Sequence, residues 1–148
     1  MSFQMYVPTR ILFGEGQLEG LHKQKLPGKK AMIVISNGKS TKRNGALEKT
    51  EKELKLAGAE TVLFDKIMPN PLKQTIMEGA AFAKENHCDF IVALGGGSVM
   101  DASKAIAAMA ANDGDLWDYI SGGTGKGLPL VQEPLPVIAI TTTAGTGS

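Results

Sequence analysis

Gly95-Gly96-Gly97-Ser98 is the segment of the chain best suited to chemistry. It follows the apolar run Phe90–Leu94 and opens a run of small residues with helical spacing. Glycines without a Cβ let a backbone approach a diphosphate closely. A helix N-terminus adds unpaired N–H groups and the positive end of its dipole. Ser98 can add a hydroxyl donor, so the chemistry implied is phosphate binding. Three consecutive glycines exceed what a tight turn requires. Ser98 and Asp101 also have the spacing of a capping box, and Asp101 with Lys104 that of an i, i+3 surface pair. The residues alone leave the role of Asp101 open.

Other candidates are weaker. Gly122-Gly123-Thr124-Gly125-Lys126 has the look of a phosphate loop, but Lys126 precedes Gly127 rather than Ser or Thr, and no strand and helix flank it. A mobile surface loop is the expectation there. No G-x-G-x-x-G joins the first strong strand to its helix, and Gly14-Glu15-Gly16 is too isolated to count. His87, Cys88 and Asp89 are consecutive and cannot converge on one tetrahedral ion, so no metal site is assigned. His87 is expected at a helix end, partly buried, with Cys88 as a small packing residue.

The elements that must position the glycine turn alternate in type. Strands are expected at Arg10–Gly14, Ala31–Ile35, Thr61–Phe64, Phe90–Leu94 and Pro136–Ile140. Helices are expected over Gln17–Leu26, around Leu47, Thr50, Leu54 and Ala57 with Gly58 as the cap, from Leu72 through Ile76, Ala80, Ala83 and His87, and through Val99, Ala102, Ile106 and Met109. Ser36-Asn37-Gly38 is the turn after the second of these strands. Apolar strands alternating with amphipathic helices give an α/β fold: a doubly wound, mostly parallel sheet flanked by helices, Rossmann-like. In such sheets ligands gather at the carboxyl ends of the strands, where the glycine turn sits.

At 148 residues the chain fits one domain, 1–148, with no internal repeat or linker. A net charge of +1 selects no anionic polymer, so nucleic acid is not expected as a partner. No apolar stretch approaches a membrane span. Residues 1–10 carry no signal-peptide pattern, and the single Cys88 fits a reducing compartment, so a cytoplasmic protein is expected.

Taken together, Pro8-Thr9-Arg10-Ile11-Leu12-Phe13-Gly14, Pro69-Asn70-Pro71, Gly95-Gly96-Gly97-Ser98-Val99-Met100-Asp101 and Pro136 through Thr146 resemble the iron-containing, metal-dependent group III alcohol dehydrogenases. The resemblance covers essentially the whole chain, in order. It implies an N-terminal dinucleotide-binding domain of the dehydroquinate-synthase-like type. Gly96, Gly97 and Ser98 would hold the cofactor diphosphate. Asn70, Thr142, Thr143, Gly145 and Thr146 would line the cleft, and Asp101 would lie near the nicotinamide. The family's iron or zinc is held by one aspartate and three histidines in a helical C-terminal domain, whereas this chain has only His22 and His87. The expectation is therefore a fragment, inactive alone, of an enzyme that transfers hydride between a primary alcohol or diol and NAD(P). Its partners would be a small alcohol or aldehyde, with a homo-oligomer left open. The alternatives are a standalone nucleotide-binding or regulatory module, or a relative such as a glycerol dehydrogenase or dehydroquinate synthase.

One position departs from the NAD-type pattern. Many relatives carry an aspartate after the second strong strand, where this chain has Ser36, Asn37, Gly38 and Lys39, followed by Lys42 and Arg43. A missing carboxylate removes repulsion against a 2′-phosphate, and Lys39 or Arg43 could neutralise one. The residues also admit a plain turn with Ser40 as N-cap and solvated cations. The sequence reading favours NADP over NAD.

Overall fold

A computed structural model describes residues 2–143 and places a four-stranded, wholly parallel sheet at the centre of the chain. The strands are β1 (Lys30–Ser36), β2 (Glu60–Ile67), β3 (Phe90–Gly95) and β4 (Val137–Thr141), in the order β2-β1-β3-β4. The helices are α1 (Ser40–Arg43), α2 (Ala46–Leu56), α3 (Lys73–Glu85), α4 (Gly97–Ala111) and α5 (Leu116–Tyr119). The chain steps outward from β1 to β2, then returns across β1 to β3. Strand order thus reverses between β1 and β3, which creates a crevice at their carboxyl ends.

The continuous apolar runs of β1 and β3 follow from burial on both faces. Ala31, Ile33 and Ile35 of β1 pack with Phe90, Val92 and Leu94 of β3 against Leu47 and Leu54 of α2. Met32, Val34, Ile91 and Ala93 face the other way, onto α3 and α4 through Ile76, Ala80, Val99 and Ile106. The period-two alternation of a strand divides the core between two helical layers. The doubly wound α/β architecture expected from the sequence is the one observed.

The helix ends are chemically explicit. Gly58, at φ 83°, ends α2, as its position in the sequence suggests. The end of α3 differs from expectation. His87 lies beyond the last helical residue, exposed and at φ 54°, rather than on the buried stripe. The N–H of Cys88 reaches the Ala83 carbonyl at 2.9 Å and that of His87 reaches Lys84 at 3.0 Å, the paired bonds of a Schellman ending. A histidine occupies the left-handed position that glycine usually takes.

Two further expectations are corrected. Arg10–Gly14 forms no strand; it is an exposed segment that pairs with none of the four described strands. Gln17–Leu26 shortens to a 3-10 helix over Gln17–Lys23, entered through Gly16 at φ 73°. This short helix is fastened to α2 by Glu53, whose buried carboxylate accepts from the His22 N–H at 3.0 Å and lies 2.6 Å from His22 Nδ1.

Asn112, at the end of α4, secures the path back to β4. Its Nδ2 donates to the carbonyls of Ala108 and Gln132, both at 2.9 Å, and its Oδ1 accepts from the N–H groups of Val131 and Gln132 at 3.0 and 2.8 Å. Every hydrogen-bonding position of the amide is used. The Gly122–Lys126 loop is on the surface, as expected, and is hydrogen-bonded back to α5. Lys126 N–H bonds to the Trp117 carbonyl and Gly127 N–H to that of Ile120, while Lys126 Nζ meets Asp118 at 2.7 Å. A lysine committed to a carboxylate has little left for a phosphate.

Candidate functional site

β3 ends at Gly95 and α4 begins at Gly97, so Gly96 alone makes the turn. Its φ of −90° and ψ of −169° are extended, and no side chain caps the helix. The capping box that the spacing of Ser98 and Asp101 would allow does not form. The helix starts one residue before Ser98, which puts that serine inside the first turn rather than at the cap. The Gly96 carbonyl accepts from Val99 and Met100 at 3.0 and 3.1 Å. The N–H groups of Gly97 and Ser98 precede the first intrahelical donor and so have no acceptor within the helix. An uncapped helix start of this kind suits an anion.

Gly95 and Gly96 are constrained for different reasons. A Cβ on Gly95 would meet Val99 Cγ2 at 2.7 Å, so that glycine serves strand-to-helix packing. A Cβ on Gly96 would meet Thr143 Oγ1 at 3.1 Å. Thr143 arrives there through the β3–β4 register, which pairs Gly95 with Thr141 and continues with Thr142 N–H to the Gly95 carbonyl at 3.0 Å. Thr141 Oγ1 then donates to the Thr143 carbonyl at 2.9 Å and shapes the second turn. Two motifs more than forty residues apart thus form one surface.

On the other flank lies the end of β1. Asn37 N–H is held by the Ile67 carbonyl of β2 at 2.9 Å, while Asn37, Gly38 and Lys39 are exposed. Ser40 does not cap α1; it is the first residue of that helix, and Lys39 takes the cap position with no side-chain bond. Lys42 is not a free cation, because its Nζ lies 2.6 Å from Asp65 Oδ2. That hydrogen bond is the main reason the Asp65 carboxyl sits below its ordinary range. Charge spacing along the chain carries no sign of Asp65, since the pairing depends on β2 lying beside β1.

The remaining candidates are dispersed. Asn70 follows β2, one strand beyond β1 from the glycine turn, exposed and at φ 53°. Asp101 is exposed on α4, 3.4 Å from Lys104, so the surface pair forms. Gly145 and Thr146 lie outside the described residues. Asp89 holds the fold together: its carboxylate accepts from the Lys29 and Lys30 N–H groups at 2.8 Å and joins the starts of β1 and β3. Cys88 is buried, and burial pushes its thiol pKa up, as suits a packing residue. Among the described residues no three His, Cys, Asp or Glu side chains group as metal ligands. Two surface depressions, of about 450 and 440 Å³, lie around Gly14–Gln24 and Lys49, away from the glycine turn.

Residues 8–148 match the family model for iron-containing alcohol dehydrogenases. A probable NADH-dependent butanol dehydrogenase of Bacillus subtilis is 39% identical over 147 residues, covering 99% of this chain and 37% of that protein. The 1,3-propanediol dehydrogenase of Citrobacter freundii is 37% identical over 154 residues, covering 100% of the chain and 38% of the relative. The crystal structure of an alcohol dehydrogenase mutant from an archaeal Red Sea brine-pool source superposes with a TM-score of 0.88 at 38% identity, over 100% of this chain and 38% of that one. The chain thus spans somewhat over a third of the length of the proteins it matches.

Proposed function

The chain belongs to the iron-containing alcohol dehydrogenase family, and from that membership we propose that the carboxyl ends of its strands hold a nicotinamide dinucleotide for hydride exchange with a small alcohol. The observation that carries this reading is the uncapped start of α4 at Gly96–Gly97, with Thr143 closed against Gly96 at the edge of the strand-order reversal. Gly96, Gly97 and Ser98 would take the diphosphate on backbone N–H groups. Thr142 and Thr143, with Gly145 and Thr146 beyond them, would form one wall of the cleft. Ser36 to Lys39 would lie on the adenosine side, with Asn70 farther out and Asp101 toward the nicotinamide. When bound, the dinucleotide supplies the hydride acceptor or donor; this chain's residues bind and orient it.

In this reading the substrate is a primary alcohol or diol and the product its aldehyde, the class for which the butanol and propanediol relatives are named. The donor set of the described residues does not fit a metal, so no step at iron or zinc is assigned to them. The butanol relative is named for NADH, and the preference for NADP drawn from Ser36 to Arg43 gains no support from it. We therefore assign NAD(H). Cytoplasmic residence belongs to the same reading, supported by the single buried cysteine.

Calorimetric titration with NADH and with NADPH tests the assignment. Saturable heat with NADH is expected. A folded protein that gives no heat with either dinucleotide would overturn it.

A further inference from the structure

If the diphosphate rests on the start of α4, the nucleoside half must extend over a neighbouring strand end. On the β4 side Thr143 already abuts Gly96. On the β1 side the surface is open and carries Lys39, Lys42, Arg43 and Asp65. NAD and NADP differ there by one dianionic phosphate, so the discriminating quantity is the local charge.

Lys42 and Asp65 decide how much of that charge is available. The pairing of β1 with β2 runs Val34 with Phe64 but Ser36 with Ile67, so a bulge in β2 puts Asp65 and Lys66 opposite Ile35. A bulge re-aims side chains. Lys66 goes to Glu78 on α3, and Asp65 goes to Lys42 on α1 at 2.6 Å. Both members of the latter pair are 44% exposed, so the pair is accessible from solvent.

We propose that Asp65 sets the cofactor preference of the site by holding Lys42, which withholds from a 2′-phosphate the cation that lies between Lys39 and Arg43 in the chain. The inference rests on the nucleotide reading above and adds the residues that choose between the two dinucleotides. It also reconciles the basic residues after β1 with the NAD(H) assignment proposed above. Lys42 and Asp65 cancel, and Lys39 and Arg43 alone give a weak attraction in water.

The test compares NADPH and NADH affinities by calorimetry in the protein, in Asp65→Asn, in Lys42→Met and in the double variant, with thermal melts confirming that each folds. Asp65→Asn should raise the NADPH-to-NADH affinity ratio by about fivefold, the scale of one exposed charge contact. Lys42→Met leaves Asp65 unpaired, and the ratio should fall below that of the unsubstituted protein. The double variant should lose the gain of Asp65→Asn, and that gain should shrink at high salt. Binding of both dinucleotides with a ratio unchanged across the variants overturns the role of Asp65 alone. Failure of the unsubstituted protein to bind either dinucleotide overturns the nucleotide reading and this proposal with it.

Discussion

A Cβ built on Gly96 would lie 3.1 Å from Thr143 Oγ1, so the glycine turn and the threonine turn are in contact across the β3–β4 edge. This single approach converts two separate motifs into one surface. It also makes Gly96 the position where a minimal change should read out on ligand rather than on fold. Its φ of −90° is open to any residue.

Gly96→Val should therefore keep the fold at a modest cost in melting temperature, since valine is a poor helix N-cap, while displacing Thr143 and crowding the start of α4. A hydrogen bond to a charged group contributes about 1.5–3 kcal/mol. Loss of one backbone contact to the diphosphate should thus weaken NADH binding by about ten- to a hundredfold. Unchanged affinity in a folded variant would put the ligand elsewhere.

Asn112 offers the opposite outcome, a loss of stability. Asn112→Ala strips partners from the Val131 and Gln132 N–H groups and from the Ala108 and Gln132 carbonyls. Unpaired buried groups cost about 1–3 kcal/mol each, and water will satisfy those on the exposed Val131 and Gln132, so a net loss of about 1–2 kcal/mol is expected. Urea unfolding should show a lower midpoint at an unchanged slope. Asn112→Asp should also destabilise, because it replaces two donors with an acceptor facing carbonyls.

His87 is a place where the chain can be improved. A left-handed conformation costs a residue with a Cβ about 1–2 kcal/mol, and part of that gain is lost to the greater freedom of glycine when unfolded. His87→Gly should raise stability by about 0.5–1 kcal/mol, and His87→Ala should not. Equal melting temperatures for the two variants would rule out strain at this helix end.

The Glu53 carboxyl is held below its ordinary value of 4.5, first by the hydrogen bond from the His22 N–H and then by the bond to the His22 ring. A depressed carboxylate stabilises the fold fully above its unfolded pKa. That stabilisation is lost as pH falls through the lower folded value. Denaturant titrations from neutral pH down through the acid range below 4.5 should show this loss. In Glu53→Gln the acid limb should be shallower, and parallel limbs in the two proteins would contradict the assignment.

The alternation of strands and helices, the glycine turn after Phe90–Leu94 and the small-residue helix behind it are all legible along the chain. These features are local: runs buried on both faces must be apolar, and a backbone that comes close to a ligand needs glycine. Gly58 is legible as a helix end for the same reason, because a left-handed cap selects its residue type. Strand pairing decided the rest. Arg10–Gly14 has the pattern of a strand but gains no partner among the described residues, and a strand without a partner leaves its backbone hydrogen bonds to water. Ser98 fits a capping box in spacing and loses it because the helix begins at Gly97. Lys42 counts as a free cation until β2, lying beside β1, brings Asp65 to it. Charge and spacing are written along the chain, but which charges cancel depends on contacts between residues far apart in it.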